Sequence, residues 1–338
     1  METVSVIIPC RNEESFIAEC LESVINNDYP RDSIEVLVID GKSMDKTQKI
    51  IKEYSSKYGF IRLLINEKYS VPHAMNLGIQ ESKGEYIIRL DAHSKIPKNY
   101  FSQLIIQSKK LGADNIGVVC ITDVKHKNSK SNSIKIVLSN KFGVGNSLFR
   151  TGINNVREVD TVPFGCYKKE VFDKIGYFDT RLVRNQDIEL NKRIKRIGGK
   201  VILLPNLFCT YYARETFLGI AKNNFQTGLW NILTVYLTKH FDSLSLRHFI
   251  PLVFVLSLLF PIILMVWEPF IGFISVISLI CYLLILLTVS FKLNNKNTKF
   301  YLIVFSFLAL HFSYGFGSFT GLFRLNYLLK KNEELFSI

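Results

Sequence analysis

Between Phe249 and Phe291 the chain carries one charge, Glu268. A stretch this apolar is placed either inside protein or in lipid. Phe249–Trp267 and Pro269–Phe291 are each uncharged and, as helices, long enough to span a bilayer, with Glu268 marking a tight hairpin between them. A third run, 300–323, includes His311, Ser313, Tyr314 and glycines, a composition suited to facing protein rather than lipid. The expectation is three membrane segments, 249–267, 269–291 and 300–323, followed by a basic tail, 324–338. Lys292, Lys296 and Lys299 lie between the second and third segments, and the positive-inside bias places that loop and the soluble portion in the cytoplasm. This predicts a multi-pass cell-membrane protein. Arg324, Lys330 and Lys331 in the tail run against that bias if all three segments cross.

The first two thirds read differently. Val4–Ile8 is β-branched and stops at Pro9, as a buried strand does; Ile34–Ile39, Ile61–Ile65 and Tyr86–Leu90 repeat the pattern. Between them lie helical stretches, 15–26, 45–58 (with Gly59 as a C-cap) and one opened by Pro72. Alternating β and α units predict an α/β fold, a mostly parallel sheet with helices on both faces. A helix over 99–110 and a strand over 116–120 follow. Residues 123–135 read as an exposed polar loop, 168–175 and 187–197 as helices, and 216–240 as one or two amphipathic helices in the membrane interface or packed on protein. The expected domains are 1–215, an interfacial linker 216–248, the membrane region 249–323 and the tail.

Lys+Arg number 42 against 29 Asp+Glu, a formal charge of +13. With apolar segments present, an anionic leaflet explains this with least invention. No zinc-finger spacing, basic zipper or RNP-like run supports a nucleic-acid partner. Six scattered cysteines without a CxxC pair read as buried thiols in a reducing compartment. The N-terminus enters a strand pattern without a basic-then-apolar leader, so no cleaved signal peptide is expected.

Two strand ends deliver an acid to one edge of a parallel sheet, Asp40 and Asp91, where ligands bind in open α/β sheets. By strand alternation Asp91 and His93 share a side, a pair able to hold a divalent cation that would neutralise a diphosphate. Asp187 opens a helix, and Arg89 alternates onto the side of Asp91, with an ion pair favoured over a phosphate contact.

These residues resemble the family 2 inverting glycosyltransferases of the GT-A Rossmann-like fold, and among them the membrane-anchored succinoglycan-biosynthesis type. The likeness runs from Val4 to Trp230 and takes in the apolar C-terminal segments. It rests on Val-Ser-Val-Ile-Ile-Pro-Cys-Arg-Asn-Glu-Glu, on Val-Ile-Asp-Gly-Lys-Ser-Met-Asp, on Leu-Asp-Ala-His at the DXD position and on Asn-Gln-Asp-Ile-Glu-Leu-Asn-Lys-Arg-Ile. It implies a donor pocket of Pro9, Arg11, Glu13, Asp40, Asn76 and Asp91, with Asp40 on the base ring nitrogen. It implies a cation, Mn2+ or Mg2+, at Asp91 and His93, and Asp187 as catalytic base. The sequence departs from the pattern at His93, at Gln186 where many relatives have Glu, and at Leu229, where processive synthases have Arg in Gln-x-x-Arg-Trp.

The implied function is a membrane-bound, metal-dependent glycosyltransferase of hexosyltransferase type. It would move one sugar from a nucleotide-sugar donor to a lipid-linked or saccharide acceptor in surface polysaccharide or glycolipid synthesis. Transfer to a polyprenyl phosphate, and a non-catalytic membrane scaffold retaining the fold, are the alternatives.

Overall fold

The computed structural model describes residues 2–323; the basic tail, 324–338, lies outside them. The described residues form two compact units. One holds the chain up to Ile121 together with Gly152–Tyr212; the other holds Thr122–Thr151 and the chain from Ala213 onward.

The first unit is built on a mixed sheet. Its parallel half is β1 (Val4–Cys10), β2 (Ile34–Asp40), β3 (Ile61–Ile65) and β4 (Tyr86–Arg89), in the order β3-β2-β1-β4. Every residue of β1 and β4 is buried, as their mostly apolar character suits in strands covered on both faces. The crossovers are α1 (Ile17–Ile25), α2 (Thr47–Lys57) and α3 (Val71–Glu81), the last with proline in its first turn. The expected C-cap role of Gly59 is not seen: α2 ends on Tyr58 in extended conformation, and Gly59 is not left-handed.

Beyond β4 the sheet turns antiparallel. A short β5 (Ser94–Lys95) precedes α4 (Tyr100–Leu111), which Gly112 closes in left-handed conformation (φ 61°). β6 (Asn115–Asp123) follows. Then come α5 (Ser129–Leu138), α6 (Lys141–Val144), α7 (Leu148–Thr151), β7 (Arg157–Glu158), β8 (Cys166–Lys168), α8 (Glu170–Ile175), α9 (Gln186–Arg196) and β9 (Val201–Tyr212). β8 pairs antiparallel with β4 and β6, and β9 with β5 and β7. Residues 123–135 are not one exposed loop: the Asn128 side chain accepts from the amides of Lys130 and Ser131 in a capping box, and that starts α5.

The second unit is helical: α5–α7, α10 (Phe217–Thr238), α11 (Ile250–Leu264), α12 (Gly272–Leu293) and α13 (Phe300–Phe323). Residues 269–293 and 300–323 are long and apolar enough to cross a membrane. The segment expected to span first, 249–267, holds a 15-residue helix interrupted by Pro261. That is about 22 Å at 1.5 Å per residue, short of a hydrocarbon core of about 30 Å.

α10 is a single helix packed along α13. Trp230 is buried within it. Small residues permit the contact: a Cβ on Gly228 would overlap the Tyr314 carbonyl oxygen, and one on Gly317 that of Phe225. The Ser318 hydroxyl donates to the Gly228 carbonyl at 3.0 Å, and the Asn231 amide donates to the Tyr314 hydroxyl at 2.9 Å. Gly317→Val is therefore expected to lower the melting temperature of the purified chain by several degrees, since overpacking costs about 1–3 kcal/mol. Gly59→Ala, with open space around it, is the matched control and should leave the transition in place.

Candidate active site

β1, β2 and β4 run parallel, so Cys10, Asp40 and Arg89 end on the same edge of the sheet. An open cleft of about 580 Å³ lies there. Pro9, Arg11, Glu13, Asp91 and His93 line it, so five of the expected site residues converge on one cavity. Asp91 and His93 do not continue the strand. β4 stops at Arg89, and residues 91–93 form a turn closed by the Ser94 amide (3.0 Å) and hydroxyl (2.6 Å), both donating to the Asp91 carbonyl. A turn, rather than strand alternation, brings the two side chains to the cleft.

Asp40 and Asn76 are placed otherwise. Asp40 is fully buried and absent from the cleft lining. Its Oδ1 accepts from the Ser43 amide at 2.9 Å and from Gln48 Nε2 at 2.7 Å, and its Oδ2 accepts from the Ser43 hydroxyl. It anchors the turn that carries Gly41 into the cleft wall. Asn76 makes a reciprocal pair with the backbone of Phe178, donating to its carbonyl and accepting from its amide, both at 2.9 Å. The same turn is held by Arg193, which donates to the carbonyls of Ile175 (2.6 Å) and Tyr177 (2.8 Å) while its guanidinium pairs with Glu189 through two contacts of 2.8 Å. Glu189 is buried in that ion pair.

The centre of the site is Arg89, only 6% exposed. Its Nε and Nη2 donate to Asp91 Oδ1 at 3.1 and 2.9 Å, and its Nη1 donates to Asp187 Oδ1. One guanidinium thus joins the acid after β4 to the acid in the first turn of α9. Asn185, left-handed at φ 62°, turns the chain into that helix. Burial pushes the Asp187 carboxyl above the usual carboxylate range; the Arg89 charge pulls it down and the Asp91 charge pushes it up, with a net rise. Burial works against the charge on Arg89, but the two carboxylates outweigh it and hold the guanidinium firmly protonated.

The residues fit a divalent cation. His93 Nδ1 lies 3.0 Å from Glu13 Oε1, the carboxylate–imidazole pairing that orients metal-binding histidines. Both Arg89 contacts to Asp91 fall on Oδ1, not on Oδ2. Among the described residues no group of three or more His, Cys, Asp or Glu gathers. The described residues therefore offer a two-residue set, Asp91 and His93, too few to enclose a cation on their own. An imidazole–carboxylate pair suits Mn2+ better than Mg2+.

The cleft also has residues that sequence reasoning missed, Asn66 and Tyr69 in the β3–α3 connection. Tyr69 has φ 60°, and the Arg11 guanidinium sits 4.8 Å from its ring centroid, within cation–π range. Asn66 shapes the turn, donating to the Ser70 carbonyl at 2.9 Å and accepting from the Lys68 amide at 3.0 Å. No periodicity or motif marks either one.

Residues 5–176 match the model of the family described as Glycosyl transferase family 2. The dolichyl N-acetyl-alpha-D-glucosaminyl phosphate 3-beta-D-2,3-diacetamido-2,3-dideoxy-beta-D-glucuronosyltransferase of Methanococcus voltae is 31% identical over 236 residues, covering 68% of this chain and 72% of its own. The succinoglycan biosynthesis protein ExoA of Rhizobium meliloti is 26% identical over 249 residues, 73% of this chain and 74% of its own. Among solved structures, the mannosyltransferase PcManGT from Pyrobaculum calidifontis, in complex with GDP-Man and Mn2+, shares the fold with a TM-score of 0.60. It is 16% identical, with 95% of this chain and 87% of that one covered.

Proposed function

Because the chain belongs to glycosyl transferase family 2, we propose that it is a membrane-attached inverting glycosyltransferase. Its reaction moves one sugar from a nucleotide-sugar donor to a hydroxyl of a lipid-linked saccharide, on the cytoplasmic face. The observation that carries this reading is the Arg89 bridge, which sets the acid beside the donor cleft and the acid of α9 on one guanidinium. The acceptor class follows from the Methanococcus relative, whose name gives a dolichyl-phosphate-linked sugar as its acceptor.

Pro9, Arg11 and Tyr69 hold the nucleoside, with the Tyr69 ring and Arg11 offering a stacked edge to the base. Asp40 serves that pocket through the turn it anchors, while Asn76 is engaged in fixing the 175–178 turn. Asp91 and His93, the latter steadied by Glu13, are the side chains that would hold a divalent cation, which would offset the negative charge that builds on a departing diphosphate. Asp187 accepts the proton of the acceptor hydroxyl as it attacks opposite the leaving group, which inverts the anomeric centre.

The test is transfer by the purified full-length chain from UDP-, GDP- and dTDP-sugars to a polyprenyl-linked sugar, with Mn2+ or Mg2+. Chelation is expected to abolish turnover and Mn2+ to restore it better than Mg2+. No glycosidic product with any donor, or only donor hydrolysis, would remove the reading.

A further inference from the structure

The face of the C-terminal unit formed by α11 and α12 is apolar and open: Phe260, Ile263, Trp267, Phe273, Ile277 and Leu284 are each more than half exposed. α13 has a similar composition but is flanked by α10, α11, α12 and α5, while Phe305, Phe316 and Phe323 stay exposed. α10 runs beside it in the same direction. The Phe217 ring meets Phe305 at 6.4 Å, Gly228 lies against Tyr314 and Ser318, and Gly321 lies against Ile232. The 122–151 segment takes a second side. Asn132 Nδ2 donates to the Asn297 carbonyl at 3.2 Å, Val137 joins the cluster of Ile303 and Phe307, and His311 Nε2 lies 2.8 Å from the Phe142 carbonyl oxygen.

Both companions carry polar groups along part of that length. α10 carries an exposed Lys222 and the part-buried Asn223, Asn224 and Gln226; the other flank carries an exposed Lys141, and Arg247 donates to the Asn146 carbonyl at 3.2 Å. The Phe142–His311 contact lies about 16 Å along α13 from Phe300 at 1.5 Å per residue, near the middle of a hydrocarbon core of about 30 Å. A bilayer that enclosed α13 from end to end would take in these polar and charged neighbours, which hydrocarbon strongly disfavours.

We infer that the C-terminal unit lies in the plane of the membrane, with its α11–α12 face immersed in one leaflet, and that α13 is the core of that unit and crosses nothing. This rests on the membrane-attachment reading above and specifies how attachment is made. The occupant of the open face is a phospholipid leaflet with acidic headgroups. Between Phe291 and Phe300 the chain has Lys292, Lys296 and Lys299, all exposed, and no carboxylate; the Asn132–Asn297 bond brings that loop beside the stretch carrying exposed Lys125, Lys127 and Lys130. A charged rim around an apolar face is how interfacial helices engage anionic lipid.

The experiment uses the full-length chain with Cys281→Ser, which removes the one exposed cysteine among the described residues, plus either Trp267→Cys or Asn297→Cys. Sealed membrane vesicles of both orientations receive a membrane-impermeant maleimide. The expected result is no labelling of either variant above background from the face opposite the catalytic unit. Labelling of the W267C variant from that opposite face, with N297C labelled from the catalytic side, would overturn the in-plane arrangement while leaving attachment intact. Release of the unlabelled chain by alkaline carbonate instead removes the attachment reading itself and this inference with it.

Discussion

Asp187→Asn is expected to slow sugar transfer about 10²- to 10⁴-fold, the range a positioned general base contributes, while nucleotide binding stays close to that of the unaltered chain. The substitution keeps size and hydrogen-bonding capacity at the start of α9 but removes the lone-pair basicity that deprotonates the acceptor. The pH profile adds a second signature. The folded site raises the Asp187 carboxyl above its ordinary value, chiefly by burial. A base works only when ionised, so kcat is present above the raised pKa and is lost as pH falls through it, at higher pH than for a solvated aspartate. The measurement is kcat against pH for the unaltered chain, with nucleotide affinity of both proteins by calorimetry. The same variant separates acceptor classes. A polyprenyl phosphate is already a nucleophile and needs no base, so full activity of D187N on that acceptor would replace the hydroxyl-acceptor reading with the phosphate one.

The parallel half of the fold was legible because β1, β2 and β4 are almost wholly buried and read as mostly apolar runs. β5, β7 and β8 have two or three residues each, too few for any period to register. β9 was overlooked for a different reason: Pro205 and Asn206 interrupt its pattern, and only its pairing with β5 and β7 makes it a strand. α5 was hidden by composition. Its lysines, serines and asparagines read as loop, and Val137 gains meaning only against α13. In the site, Asp91, His93 and Asp187 were readable from their places at element ends, but the reason proposed for the first two was wrong, since a turn and not strand alternation presents them. Tyr69 and Asn66 had no local signal. Asp40 and Asn76 show the limit of reading residue type alone: each is a polar side chain near the cleft, and each is occupied in holding a backbone turn.

Arg89→Gln should lower kcat about 100-fold, close to 2.7 kcal/mol at 1.36 kcal/mol per decade, with a smaller change in donor KM. Arg89 lines the cleft, but its guanidinium is engaged with both carboxylates, and it is expected to act through them. Removing it leaves two acids facing each other without the charge that reconciles them, and breaking such a buried pair is costly because the remaining partners are uncompensated. Asp187 then loses the one influence that lowers its pKa and keeps those that raise it, so the acid limb of kcat moves to higher pH in R89Q. Arg89→Lys keeps the charge but not the fork that reaches Asp91 and Asp187 together, and should recover only part of the loss. The decisive comparison is the double variant. If Arg89 works by positioning Asp187, adding R89Q to D187N costs no more than about 3-fold further, because the group it served is already disabled. Multiplicative losses with an unchanged melting temperature would mean that Arg89 contributes independently, through Asp91 and the cation or through the donor phosphates, and that the two carboxylates do not act as one unit.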